Sequence, residues 1–222
     1  KTTRPMVADA RVREAMNIAI NRAQIVKGVL LGNADPSYGY TSPNALDHNP
    51  AASTIIKEDV ERAKKLLDEA GWVPGPDGIR VKDGMRLEPK VYVTGGGNSV
   101  KVGEAIQGFL RKIGVDWKIQ VWDSTIAPVK MGEQDYEIWS VTVPYISAGD
   151  LLALYFDSRN IPTPNRMNWK DEKTDELLKA AATATDATKR KQALADVQTQ
   201  LTEANVWVPL ANQFLDPATP LV

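Results

Sequence analysis

Apolar residues recur at three- and four-residue spacing along much of the chain, the period of an amphipathic helix. Asp9 stands as a cap before Val12, Ala15, Met16, Ala19 and Ile20, and Asn21 before Ile25, Val26, Val29 and Leu30, with Gly32 as the stop. Val60, Ala63, Leu66, Leu67 and Ala70 mark a helix over 58–70 that ends at Gly71. Val102, Ala105, Ile106, Phe109, Leu110 and Ile113 predict another, closed by Gly114. A short helix near 125–131 and two longer ones over 171–184 and 186–203 complete the helical set.

Between these the period drops to two. Val115, Trp117, Ile119 and Val121 alternate with Asp116, Lys118 and Gln120, the clearest strand in the chain. Strands are also predicted over 86–94, 136–143 and 206–210, and Lys82-Asp83-Gly84 has the chemistry of a hairpin turn. The stretch 33–53, with Pro36, Pro43 and Pro50, predicts no regular structure; segments of that length are functional or packed over a surface. Strand–helix–strand units with short links predict an α/β fold, a mostly parallel sheet flanked by helices.

Composition narrows function by exclusion. The 222 residues carry 27 Lys and Arg against 28 Asp and Glu, so nothing resembles the basic footprint of a nucleic-acid or anionic-membrane binder. Zero cysteines exclude thiol catalysis and Cys-based metal sites. No apolar run approaches the roughly 18 residues of a membrane span. The chain begins at Lys1 and stops at a Pro-rich tail, which reads as a piece cut from a longer protein with any targeting segment outside it.

Catalytic motifs are missing. His48, the single histidine, falls in the Pro-rich stretch and reads as a loop residue in solvent, and there is no Gly-x-Ser-x-Gly elbow to partner it. Gly95-Gly96-Gly97 separates a strand from a helix, but Val100 stands where a dinucleotide fingerprint needs glycine. That turn still leaves backbone N–H groups at a helix start, where a polar ligand could dock. Six tryptophans are unusual: Trp117 reads as core and Trp72 as a packing anchor, while Trp122, Trp139 and Trp169 sit at or beyond element ends, where pocket walls are built. A hydrolase or transferase domain, or an interaction domain with a Trp-lined surface, is the alternative to a binding module.

The order of segments resembles one family. Arg11 through Arg22, continuing to Gly28, is similar to a signature of the family 5 extracellular solute-binding proteins, the oligopeptide-, dipeptide- and nickel-binding components of ABC importers. Ala63 through Trp72 resembles the second landmark and Glu104 through Val115 the third. Asn165, Asp175 through Leu178, Asp186, Arg190 and Pro209-Leu210 match the end of the pattern.

The resemblance implies a type II periplasmic-binding-protein-like lobe. Family members have two α/β lobes around a hinge, and this chain, residues 1–222, corresponds to the C-terminal one. It implies a periplasmic protein, or an extracellular membrane-tethered one, that binds a peptide or other small solute, works with the missing N-terminal lobe and ABC permease subunits, and needs no cofactor, metal or nucleic acid. The cleft is implied to use Asn98 and Ser99, then Trp122, Asp123 and Ser124, then the stretch after the 136–143 strand. Peptide binders have a Trp and an Asp in that stretch, the Asp pairing with the peptide amine. Here it reads Thr142 to Asp150, with no Asp at or near Ile146 and Asp150 several residues late. Trp139 and Tyr145 could instead stack on a sugar ring or flat apolar group; Ser147 and Asp150 complete the implied set.

Overall fold

The computed structural model describes residues 4–95, 97–123 and 125–213. The chain divides into two compact units, one of Lys1–Pro36, Glu58–Thr142 and Gln213–Val222, the other of Ser37–Lys57 and Val143–Asn212.

The first unit opens with helices α1 (Pro5–Ala8), α2 (Ala10–Ile18) and α3 (Arg22–Gly28), then β1 (Ala34–Pro36). Asp9 and Asn21 are indeed caps, their carboxyl and amide oxygens accepting the N–H groups of Arg11 and Gln24 at 2.9 and 2.8 Å. Such a bond satisfies one of the four N–H groups that a helix start leaves unpaired. Asp59 does the same for α4 (Val60–Glu69) through Arg62 N–H. Helix α4 buries Ala63, Leu66 and Leu67, and Gly71 turns the chain away at φ 84°.

A three-stranded antiparallel sheet follows, β2 (Val73–Pro74), β3 (Arg80–Lys82) and β4 (Met85–Arg86). Asp83 and Gly84 take φ of 51° and 77°, the two consecutive positive angles of a tight hairpin turn. Gly114 is required where it stands. Its φ is 84°, and a Cβ there would lie 2.7 Å from Arg80 Cγ and 2.9 Å from the Gly78 carbonyl.

The parallel sheet of this unit has the order β6–β5–β7, with β5 (Lys90–Thr94) between β6 (Lys118–Trp122) and β7 (Ile138–Trp139). Val91 lies opposite both Ile119 and Ile138. Helix α5 (Ser99–Arg111) links β5 to β6, and α6 (Ala127–Glu133) links β6 to β7. The first crossover steps one way along the sheet and the second steps back, so right-handed connections put the two helices on opposite faces. Packing agrees: a Cβ at Gly103 of α5 would be 3.4 Å from Val93 and Ile119, whereas Ala127 and Met131 of α6 cluster with Tyr92 on the other face.

The second unit is helical, with α7 (Ala148–Phe156), α8 (Glu172–Thr183) and α9 (Ala187–Glu203) around Leu152, Phe156, Leu178, Leu194, Val197 and Leu201. Ser147, Asp171 and Asp186 cap the three helices. Strand β8 (Ala211–Gln213) ends the described chain.

Four strand expectations need correction. The alternation over 115–121 is only partly a strand: Val115 and Trp117 are buried, but ladder pairing starts at Lys118, and Val121, read as inward, is 50% exposed at the sheet's edge. The strand expected over 86–94 is broken between β4 and β5. The one expected over 136–143 shrinks to β7, because only Val91 and Tyr92 of β5 pair with it. The last lies at 211–213 rather than 206–210.

A candidate ligand-binding edge

The carboxyl ends of three parallel strands form one edge of the first unit. In an open α/β sheet, ligands bind beyond such an edge, where successive crossovers leave towards opposite faces. Here that point lies between the loop after β5 and the loop after β6. They are stitched together, since Gly95 N–H donates to the Trp122 carbonyl at 3.1 Å, and a Cβ at Gly95 would be 3.2 Å from Val121 Cγ1.

Five of the residues expected to meet ligand belong to this edge. Asn98 precedes α5 and is exposed; its carbonyl accepts Val102 N–H, and its side chain makes no capping bond. Ser99 opens the helix and is half-buried. Asp123 is exposed directly after β6, and its Oδ1 accepts Thr125 N–H at 2.8 Å, the Thr125 hydroxyl at 2.5 Å and Ile126 N–H at 3.1 Å. Those donors stabilise the charged form and hold its pKa below the ordinary carboxylate value, the Thr125 hydroxyl contributing most. The expected Ser124, like Gly96, lies outside the described residues.

Trp122 and Trp139 are on the face that bears Tyr92. Trp122 stacks on Tyr92 with centroids 4.4 Å apart and meets Tyr136 edge-on at 6.2 Å. Trp139 packs against the same cluster. Both remain half-buried, so each supplies packing and an accessible wall at once.

Tyr145, Ser147 and Asp150 belong to the second unit, and there they are structural. Ser147 is the N-cap of α7: its Oγ accepts Asp150 N–H at 3.1 Å and donates to Asp150 Oδ2 at 2.7 Å. This is a capping arrangement of the Ser-x-x-acid type. It occupies one oxygen of the carboxylate that stands latest in the stretch. The Tyr145 hydroxyl accepts Ser42 N–H, and partial burial pushes the phenol's pKa up. Ile146 beside it is 86% exposed.

His48 is not the solvent-borne loop residue expected. It is half-buried, Nδ1 lies 2.8 Å from Thr41 Oγ1, and burial lowers its pKa. Polar loop composition hid this, because the Thr41 hydroxyl that meets His48 is itself anchored by Gln198, 157 positions further along the chain. A separate cleft of about 270 Å³ in the first unit is lined by Ile18, Asn21, Glu58, Asp59, Phe109 and Lys112 among others, and by none of the expected ligand residues. Among the described residues no cluster of three or more His, Cys, Asp or Glu could hold a metal ion, and no helix is long and apolar enough to cross a membrane.

Residues 1–163 match the model of the middle region of the bacterial extracellular solute-binding proteins, family 5. The chain belongs to that family. The di/tripeptide-binding protein 2 of Pseudomonas aeruginosa is 28% identical over 214 residues, covering 93% of this chain and 38% of the relative. The fold is that of the oligopeptide-binding protein AppA of Bacillus subtilis, solved with a nonapeptide (TM-score 0.79, 24% identity, 94% of this chain and 42% of AppA). It is equally that of NikZ from Campylobacter jejuni, solved with Ni(L-His) (TM-score 0.80, 24% identity, 92% of this chain and 42% of NikZ). These are type II periplasmic binding proteins, and the mixed α/β architecture with its parallel sheet is theirs. The chain spans about two fifths of the length of each of these three proteins. Those relatives are binding proteins, not enzymes.

Proposed function

We propose that this chain is the C-terminal lobe of a two-lobed ABC-importer solute-binding protein that works in the periplasm, or tethered outside the membrane, and catalyses nothing. Its carboxyl-end strand edge would form one wall of an inter-lobe cleft. Closure against the other lobe desolvates a captured solute, which is then passed to a membrane permease. The observation that carries this reading is the family match over residues 1–163, which spans the edge bearing Asn98, Ser99, Trp122, Asp123 and Trp139.

The ligand class follows from what the candidate residues have left to offer. A peptide amine wants a carboxylate, and a charge-assisted contact of that kind contributes about 1.5–3 kcal/mol. Asp150 shares its carboxylate with the Ser147 hydroxyl, 141–149 carries no other acid, and Asp123 on the strand edge already accepts three hydrogen bonds from Thr125 and Ile126 at one carboxylate oxygen. Half-buried Trp122 and Trp139 favour a flat or ring-shaped solute, such as a sugar, over a peptide held by its amine.

A thermal-shift screen of the full-length protein against di- and oligopeptides, oligosaccharides and metal chelates tests this. A ligand present at about a thousand times its Kd raises stability by roughly 4 kcal/mol. An oligosaccharide hit abolished by Trp139→Ala, with the free variant still unfolding cooperatively at a somewhat lower temperature, is the expected result. A peptide hit insensitive to Trp122→Ala and Trp139→Ala would move the site elsewhere.

A further inference from the structure

Segment 41–49 has no helix or extended strand, yet its conformation is specified from a distant helix. Gln198 of α9 is 1% exposed and uses its whole amide. Its Oε1 accepts the Thr41 hydroxyl at 2.7 Å and Asn49 N–H at 3.0 Å; its Nε2 donates to the carbonyls of Asp47 at 2.9 Å and Leu194 at 3.0 Å. Reversing the amide would set its NH2 against Asn49 N–H, so the orientation is determined.

A second assignment follows. The Thr41 hydroxyl has one proton, and it goes to Gln198, which at Oε1 can only accept. His48 Nδ1, 2.8 Å from the same hydroxyl oxygen, must then be the donor. Neutral His48 is therefore the Nδ1–H tautomer, with its lone pair on Nε2.

The same segment holds the stretch expected to face ligand. Ser42 N–H donates to the Tyr145 hydroxyl, Leu46 N–H to the Ile146 carbonyl at 3.1 Å, and Ala148 N–H to the Leu46 carbonyl at 2.9 Å. Leu46 and Ser147 form a parallel β-bridge there. A second tie, Asp47 to Arg190 at 2.6 Å, joins the segment to α9 beside the first.

We propose that Gln198 is a positioning residue for the Tyr145–Ala148 stretch, acting through segment 41–49. Each link is a directional bond, and the chain Gln198–Thr41 and Asp47–Leu46–Ile146 and Ala148 leaves the stretch one backbone arrangement. The bearing on ligand capture rests on reading Tyr145–Asp150 as ligand-facing. The positioning does not, and its readouts need no ligand, so the two ideas fail separately.

The test uses the whole chain with Gln198→Leu and, as the milder variant, Thr41→Val. Losing buried bonds of this kind should speed amide hydrogen exchange at Leu46 and Ala148 by about tenfold or more. Nitrogen chemical shifts of His48 should report the Nδ1–H tautomer in the unaltered chain and its loss in both variants, while amide exchange at the core positions Leu152 and Leu178 stays slow, which general loosening would not allow. Unchanged exchange at Leu46 and Ala148 in both variants overturns the proposal. So does an Nε2–H tautomer in the unaltered chain.

Discussion

The two units hold their candidate residues by different physics. In the first, the edge is built from backbone: a parallel ladder sets where β5, β6 and β7 stop, and the residues just beyond inherit that placement. In the second, the Tyr145–Ala148 stretch rests on a tyrosine hydroxyl and one β-bridge, held by the buried amide of Gln198. A ladder spreads its stabilisation over many bonds, whereas a side-chain network concentrates it in a few directional contacts. Single substitutions should therefore reshape the second stretch more easily than the first edge.

The largest expected effect comes from removing the aromatic floor of that edge. Tyr92 is 2% exposed and lies under Trp122. Tyr92→Ala should cost about 3–5 kcal/mol in denaturant unfolding and red-shift tryptophan emission. In the helical unit, Leu152→Ala at a fully buried position should cost about 2–5 kcal/mol by the same measurement. Gly114→Ala combines a positive φ with a Cβ against the Gly78 carbonyl and should cost about 1–3 kcal/mol.

Tyr145→Phe sharpens the comparison most directly. It removes one acceptor for Ser42 N–H, so the expected loss is about 1 kcal/mol, with faster exchange at Ser42. A loss as large as that of Tyr92→Ala would mean that the second stretch is not held by a few separable bonds.

The smallest effect is on pH dependence. Burial lowers the pKa of His48 below its ordinary 6.5, so the unfolded chain takes up this proton first as pH falls. The contribution to stability is complete above about pH 6.5 and is lost as pH drops through the folded value. His48→Ala should flatten that part of the curve.

Much of this was legible in sequence. The caps Asp9 and Asn21, the buried faces of α2, α4 and α5, and the stops at Gly71 and Gly114 all depend on residues within a few positions of one another. So does the turn at Asp83-Gly84. The family signature rides on these same local features, in order. Among candidate residues, the positions just after β5 and β6 were named through the family resemblance, and the strand-then-helix pattern indicated only where those strands end.

Strand extents were less legible. Alternation over 115–121 reports which side chains point inward, but Val115 and Trp117 bury themselves without a ladder, and Val121 extends the ladder while half exposed. A strand is a pairing between two backbones, and its length depends on a partner that the segment does not contain. The division into two units, the bond between Tyr145 and Ser42, and the tautomer of His48 likewise rest on contacts across more than a hundred residues. The sequence by itself determined what short-range sterics, capping and periodicity can encode: helices, turns, the α/β class and the family. Only the tertiary structure decided which polar side chains are consumed in holding the chain, because a hydrogen bond between distant segments leaves no periodic mark in either one.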